Sequence, residues 1–222
     1  MTIAHFIDHT ILKQTTGLKD ISKVCEEASE YSFAAVCVPP VYVQAAAKQL
    51  QDTDVKVATV LGFPFGYHAI ETKATEARQA VSDGADELDM VMNLAAFKNA
   101  DYSYIENEVM ALLEITRKNG LLLKVIIESG VLSNEEIMKC CEIYKAFDVD
   151  FLKTSTGYAE KGASVEAVKL MRKHLPPHIQ IKASGGIRTF EFARELVEAG
   201  ATRIGCSASV AIANGEMGAA GY

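Results

Sequence analysis

The sequence predicts an α/β fold, a single closed parallel (β/α)8 barrel, on three observations. Eight short runs rich in β-branched residues punctuate the chain. Between them lie longer segments whose apolar residues recur at three- and four-residue spacing, the period of an amphipathic helix. Successive runs are about 30 residues apart, one strand and its crossover helix each time. An open doubly wound sheet is the rival fold. It more usually has about five or six strands, and no GxGxxG turn follows the first strand of this chain.

In chain order the expected strands are His5–Asp8, Ala34–Pro39, Lys56–Gly62, Glu87–Asn93, Leu122–Glu128, Asp150–Ser155, Gln180–Ser184 and Arg203–Ser207. The expected helices are Lys19–Tyr31, Ala69–Asp83, Tyr102–Asn119, Asn134–Phe147, Ser164–His174 and Thr189–Ala199. Ser133 before Asn-Glu-Glu and Thr189 before Phe-Glu-Phe read as N-terminal caps. Gly84, Gly120 and Gly200 follow helical runs, where a left-handed closing residue is wanted. No linker, low-complexity stretch or charge block divides the chain, so residues 1–222 read as one TIM-barrel domain. The glycine-rich residues 213–222 are expected to form a mobile tail.

Composition narrows the function. Of 222 residues, 49% are hydrophobic and 23% charged, as in an ordinary globular domain. No apolar run is long enough for a membrane span, and the start lacks the regions of a signal peptide. Five scattered cysteines without a Cys-x-x-Cys pair point to reduced thiols and a cytoplasmic location. A net charge of −7 argues against nucleic-acid binding, so an anionic ligand would need a local basic site.

Parallel barrel strands should be apolar runs, so their charged residues carry the information. Asp89, Lys124, Lys153 and Lys182 lie on four successive strands. Side chains alternate between barrel interior and helical layer, and only the interior opens to ligand at the C-terminal mouth. The four are therefore expected to converge inward. The alternative is a buried Asp89–Lys124 pair with the other two lysines reaching solvent along their stems.

A free lysine with a pKa of ~10.4 is neutral in about one molecule in 2,500 at pH 7. Lowering that value by about 3 makes roughly a quarter neutral, at about 4 kcal/mol against the charged form. Desolvation and a neighbouring cation can supply that. A neutral buried amine attacks aldehydes and ketones to form a Schiff base, an electron sink for carbon–carbon cleavage. Either Lys153 or Lys182 could serve, with the other held charged beside it. Asp89 can hold the charged lysine and relay a proton through water.

The turns Ser184-Gly185-Gly186-Ile187-Arg188 after strand seven and Gly205-Cys206-Ser207 after strand eight sit where barrels of this kind often bind phosphate. Cys37 ends strand two near the mouth, as either a reactive or an inert packed thiol. His9 reads as a site residue or a structural one, and His68, His174 and His178 as loop or cap residues. No His, Cys, Asp or Glu group has metal-ligand spacing, so neither metal nor cofactor is expected.

Five motifs together resemble the deoxyribose-phosphate aldolases, a family of class I aldolases. They are Ile7-Asp8-His9-Thr10, Glu87-Leu88-Asp89-Met90-Val91-Met92-Asn93, Lys124-Val125-Ile126-Ile127-Glu128-Ser129-Gly130, Phe151-Leu152-Lys153-Thr154-Ser155-Thr156-Gly157 and Lys182-Ala183-Ser184-Gly185-Gly186-Ile187-Arg188-Thr189. The resemblance implies that Lys153 is the Schiff-base lysine and Lys182 the charged neighbour that lowers its pKa. It implies that Asp89 relays protons and that Lys124 joins the network. Gly157, Gly185, Gly186, Gly205 and Ser207 would line the phosphate site, and Cys37 would sit beside the active site. Tyr222 matches a C-terminal tyrosine that, in some members, assists enamine protonation. Some members carry a lysine directly after Thr-Gly, where this chain has Tyr158, with Lys161 three residues on.

The implied activity is reversible cleavage of 2-deoxy-D-ribose 5-phosphate to D-glyceraldehyde 3-phosphate and acetaldehyde. Phosphorylated sugars and aldehydes would then be the ligands, and a homodimer is one assembly left open. The readings still standing are a Schiff-base aldolase or transaldolase acting on another phosphosugar, a non-catalytic phosphosugar-binding barrel, and a metal-dependent aldolase.

Overall fold

The computed structural model describes residues 3–218. Its eight strands are β1 (Ile7–Thr10), β2 (Ala35–Val38), β3 (Lys56–Leu61), β4 (Glu87–Val91), β5 (Leu122–Ile126), β6 (Phe151–Lys153), β7 (Gln180–Ser184) and β8 (Arg203–Cys206). Each pairs in parallel with the next, and β8 pairs with β1, so the barrel closes in sequence order. The helices are α1 (Leu18–Tyr31), α2 (Val43–Leu50), α3 (Ile70–Ser82), α4 (Leu94–Lys98), α5 (Tyr102–Asn119), α6 (Asn134–Ala146), α7 (Val165–His174), α8 (Phe190–Glu198) and α9 (Ser209–Ala213). Among the described residues, no helix is long and apolar enough to cross a membrane.

The expected caps form. Ser133 accepts from the Glu136 N–H while the Glu136 carboxylate accepts from the Ser133 N–H, a complete capping box. Thr189 accepts from the Phe192 N–H. Three helices lie outside those expected from apolar spacing. The crossover helix α2 is eight residues long and alanine-rich, burying only Val43, Ala46 and Leu50, while α4 and α9 have five residues each. Strand β1 begins at Ile7 rather than His5, because Ala4–Phe6 form a 3-10 turn. Strand β6 is shorter than Asp150–Ser155. Beyond Lys153 the Thr154 backbone still bonds to Lys182 and Ser129, and its Oγ1 adds side-chain bonds, donating to the Ser184 carbonyl and accepting from the Ser184 N–H.

Strand alternation divides the buried residues into two layers. Outward-facing Val36, Leu88, Met90, Leu123, Val125, Leu152, Ile181 and Ile204 pack with helical Ile21, Val24, Leu112, Val168 and Leu196 into one large apolar core. Complete burial of such a side chain contributes about 1.5–3 kcal/mol. This layer also holds one buried ion pair, between Lys73 of α3 and Glu108 of α5, at 2.5 Å. Lys73 donates to the Val91 carbonyl at 2.6 Å as well, and Glu108 accepts from the Asn93 N–H at 3.1 Å. Gly62 leaves room for that lysine, since a Cβ there would lie 2.5 Å from Lys73 Cε. The inward layer has a small apolar cluster of Cys37, Ala58, Val60 and Leu12 with Phe63, and otherwise consists largely of charge.

Candidate active site

The four strand residues Asp89, Lys124, Lys153 and Lys182 do meet inside the barrel. The register sets Asp89 beside Lys124 and Lys153 beside Lys182. Asp89 Oδ1 accepts from Lys124 at 2.8 Å, while Oδ2 accepts from both Lys153 and Lys182 at 2.7 Å. All four are buried, so neither lysine reaches solvent along its stem.

The interior holds more charge than the sequence reading found. Asp8 on β1, Glu87 on β4 and Arg203 on β8 complete the network. Asp8 Oδ2 lies 2.5 Å from Lys182, and Glu87 Oε2 lies 2.6 Å from Lys124. Arg203 bridges Asp8 and Glu87, at 2.7 Å from Glu87 Oε1. Beneath them the Phe151 ring lies under both Lys124 and Arg203, with cation-to-centroid distances of 5.9 and 5.8 Å. The charged residues inside the barrel therefore come from six strands rather than four. The same two-residue period that marks Asp89 also marks Glu87, the first residue of the expected fourth strand, where a charged residue passes for a strand boundary.

This arrangement distinguishes the lysines. Burial depresses Lys182, but Asp8 and Asp89 outweigh it and carry its pKa above the ordinary lysine value. Lys124 is likewise depressed by burial and raised, on balance, by Asp89 and Glu87. Lys153 ends below the ordinary value: burial depresses it, Asp89 supports it, and Lys182 opposes its charge again. Burial pushes Asp89 up, yet the three lysines hold it well below the usual carboxylate range. Four cations thus face three carboxylates, and Lys153 is the cation least supported. It is also the last residue of its strand, at the C-terminal mouth, and 3% exposed where Lys124 and Lys182 are fully buried.

Next to it, a cavity of about 60 Å³ is lined by Thr156, Gly157, Ser184, Gly185, Gly186, Arg188, Gly205 and Ser207 among others. Gly157, Gly185 and Gly186 have φ of +91°, +89° and +76°, a backbone for which glycine is suited. Among the described residues, the Gly157 and Gly186 N–H groups have no hydrogen-bond partner. Gly205 lies within β8 rather than in a turn after it. A Cβ there would sit 3.0 Å from Lys182 Cε, so this glycine gives the lysine its room. The exposed Arg188, at the end of the glycine turn after strand seven, lines the cavity, as does Thr156, which the turn pattern did not include.

Cys37 lies inward on β2 against Val60 and Leu12, and burial pushes its thiol up, away from the reactive thiolate. His9 faces the helical layer instead of the mouth. Its Nε2 lies 2.8 Å from Glu27 of α1 and its ring meets Phe33 edge-on. Tyr158 crosses the mouth, donating to the Leu12 carbonyl at 2.7 Å with its ring edge against Phe63. Tyr222 lies outside the described residues. Among the described residues, no group of three or more His, Cys, Asp or Glu is arranged to hold a metal ion.

The sequence pattern of the DeoC/LacD family of aldolases matches residues 2–220. A deoxyribose-phosphate aldolase of Caldanaerobacter subterraneus subsp. tengcongensis is 51% identical over 213 residues, covering 96% of this chain and 92% of that protein. One of Thermococcus kodakarensis is 49% identical over 215 residues, covering 96% of each. Among solved structures, the tetrameric deoxyribose phosphate aldolase of Aeropyrum pernix superposes with a TM-score of 0.89 at 30% identity, over 96% of this chain and 89% of that one. An aldolase designated QR15 superposes with a TM-score of 0.91 at 40% identity, over 96% and 94%. The chain belongs to the DeoC/LacD family of aldolases.

Proposed function

We propose that this aldolase reversibly cleaves 2-deoxy-D-ribose 5-phosphate to D-glyceraldehyde 3-phosphate and acetaldehyde through a Schiff base on Lys153. The observation that carries the assignment is the shared oxygen. Lys153 and Lys182 both donate to Asp89 Oδ2 at 2.7 Å, but of the two only Lys182 has a second carboxylate, Asp8, within hydrogen-bond reach to keep it charged. Lys153 is then the amine that can shed its proton and attack.

The amine of Lys153 adds to the C1 aldehyde, and loss of water gives the imine. The protonated imine keeps one N–H of the original ammonium, now drawn toward the substrate carbon, so Asp89 Oδ2 becomes free to accept from a water. That water, polarised by Asp89 and Lys182, takes the proton of the C3 hydroxyl. As the water passes that proton on to Asp89, the C2–C3 electron pair moves into the protonated imine to give a neutral enamine, and C3 departs as the aldehyde carbon of glyceraldehyde 3-phosphate. Protonation at C2 and hydrolysis of the imine release acetaldehyde and restore Lys153.

The phosphate is assigned to the glycine-lined cavity, with the Gly157 and Gly186 N–H groups and Arg188 as donors and Ser207 at its edge. The relatives named as deoxyribose-phosphate aldolases support this choice of substrate. In this reading the imine serves as the electron sink, so a chelator leaves turnover unchanged, and the enzyme works on free phosphosugar in the cytoplasm. Reduction with borohydride in the presence of acetaldehyde should add one ethyl group, mapped by peptide mass to Lys153. Ethylation of Lys182 instead, or none, would sink the assignment.

A further inference from the structure

Among the described residues, four non-glycine residues adopt the left-handed backbone: Ser32, Ala100, Glu128 and Asp148. Three of them follow the helices α1, α4 and α6, where a closing residue commonly takes this conformation. Glu128 instead follows strand β5 at the barrel mouth, with φ 52° and ψ 58°. Strain held at a mouth points to something the fold gains there.

The conformation turns the Glu128 carboxylate inward, where it is 4% exposed. Among the described residues its hydrogen-bond partners all belong to Thr156. The Thr156 N–H donates at 3.3 and 3.2 Å to the two oxygens, and the Thr156 hydroxyl donates to Oε2. Thr156 Oγ1 in turn accepts from the Tyr158 N–H at 3.0 Å, so one carboxylate fixes the turn Thr156-Gly157-Tyr158 from below. The remaining sides of this loop are fixed by backbone contact. A Cβ on Gly130 would meet the Lys161 carbonyl oxygen at 2.3 Å, and one on Gly162 would meet the Gly185 carbonyl oxygen at 2.2 Å. The β6 loop is thus wedged between the β5 and β7 loops, with Thr156, Gly157 and Gly185 lining the glycine cavity.

We propose that Glu128 is a positioning residue for substrate recognition: through Thr156 it holds the β6 turn as one wall of the anion cavity and so sets affinity for the phosphate end of the substrate. Glu128 does not touch the substrate in this arrangement. Its kinetic consequence rests on the cleavage reaction proposed above, whereas its effect on anion affinity does not require turnover.

The test compares the parent with Glu128→Ala, Glu128→Gln and Thr156→Val. Inorganic phosphate binding is followed by calorimetry, and kcat/KM is measured for 2-deoxyribose 5-phosphate and for unphosphorylated 2-deoxyribose. Glu128→Ala should weaken phosphate by about ten-fold or more and raise KM for the phosphorylated sugar in step, leaving the unphosphorylated sugar within about two-fold. Thr156→Val should reproduce that pattern, and Glu128→Gln, which keeps an acceptor oxygen, should recover most of the loss. Unchanged phosphate affinity in Glu128→Ala and Thr156→Val, an equal fall for both sugars, or a parent that binds no phosphate overturns the proposal. Borohydride trapping on the same proteins separates the two readings. A parent without the Lys153 adduct defeats the aldolase mechanism, while an intact adduct with unchanged anion affinity defeats only the role of Glu128.

Discussion

Two buried lysine sites, Lys73 in the helical layer and Lys153 inside the barrel, share the features that first draw attention to a lysine. Each is buried, each lies within 2.7 Å of a carboxylate, and burial lowers the pKa of each. They differ in how charge is matched around them. Lys73 has Glu108 as its own partner and the Val91 carbonyl as a second contact, in a site sealed by α3, α5 and β4. Lys153 shares Asp89 with two better-supported cations and stands at the end of a strand where the barrel opens. A buried lysine is therefore not by itself a nucleophile. An excess of cations together with an open end is what sets Lys153 apart as the proposed nucleophile.

The largest expected effect breaks this comparison at Lys153. Lys153→Leu should lower kcat/KM by about 10⁴-fold or more, equivalent to about 5.5 kcal/mol of transition-state stabilisation. Urea unfolding should change little, since Asp89 keeps two lysine partners. The opposite pattern is expected at the other site. Lys73→Met strands Glu108 in the core and should cost about 3–5 kcal/mol in urea unfolding, with kcat/KM of the folded fraction unchanged. Lys73→Met combined with Glu108→Leu should restore most of that stability. A double variant as unstable as the single one would contradict the pairing.

A smaller effect sharpens the role of the neighbour. Lys182→Met removes the cation that opposes the charge of Lys153, so the Lys153 pKa rises and its neutral fraction at pH 7 falls. Activity at pH 7 should drop about 10- to 100-fold, and the rising limb of the kcat/KM profile should move up by about one to two pH units. A profile that keeps its midpoint would show that Lys182 acts in some other way.

The smallest effect concerns Asp8. Burial works against its ionised form, but Lys182 and Arg203 outweigh it and bring its pKa from 3.8 to about 2. A carboxyl held lower in the folded chain than in the unfolded one contributes stability above the unfolded value, and loses it as pH falls through the folded one. Asp8 should therefore contribute about 2 kcal/mol above pH ~4 that fades towards pH ~2. Urea unfolding of the parent and Asp8→Asn should show a gap that narrows over that window. A gap constant with pH would mean that Asp8 is not ionised in the fold.

Much of this was legible in the sequence because burial by alternation is a local pattern. The eight strands, the two capped helices and the inward convergence of Asp89, Lys124, Lys153 and Lys182 follow from period and spacing. Asp8, Glu87 and Arg203 obey the same alternation, yet they stand at or next to strand ends, where sequence places boundaries least well. Lys73 on α3 resembled any helical lysine, and its partner Glu108 lies one crossover away on α5. Glu128 closes the expected fifth strand and falls within one of the family motifs, but nothing in the sequence marked its role. Its significance is a backbone conformation and a bond to Thr156, 28 residues on.

By itself, the sequence determined the barrel and the motifs that place this chain among the aldolases, because strand period, helix caps and glycine turns are properties of neighbouring residues. Only the tertiary structure showed which lysine is the least supported cation, the ground on which Lys153 is proposed as the nucleophile. That choice depends on how three carboxylates from two strands are divided among four cations from four others. Coulombic balance in a buried site is set by distances across the barrel, and no run of neighbouring residues contains them.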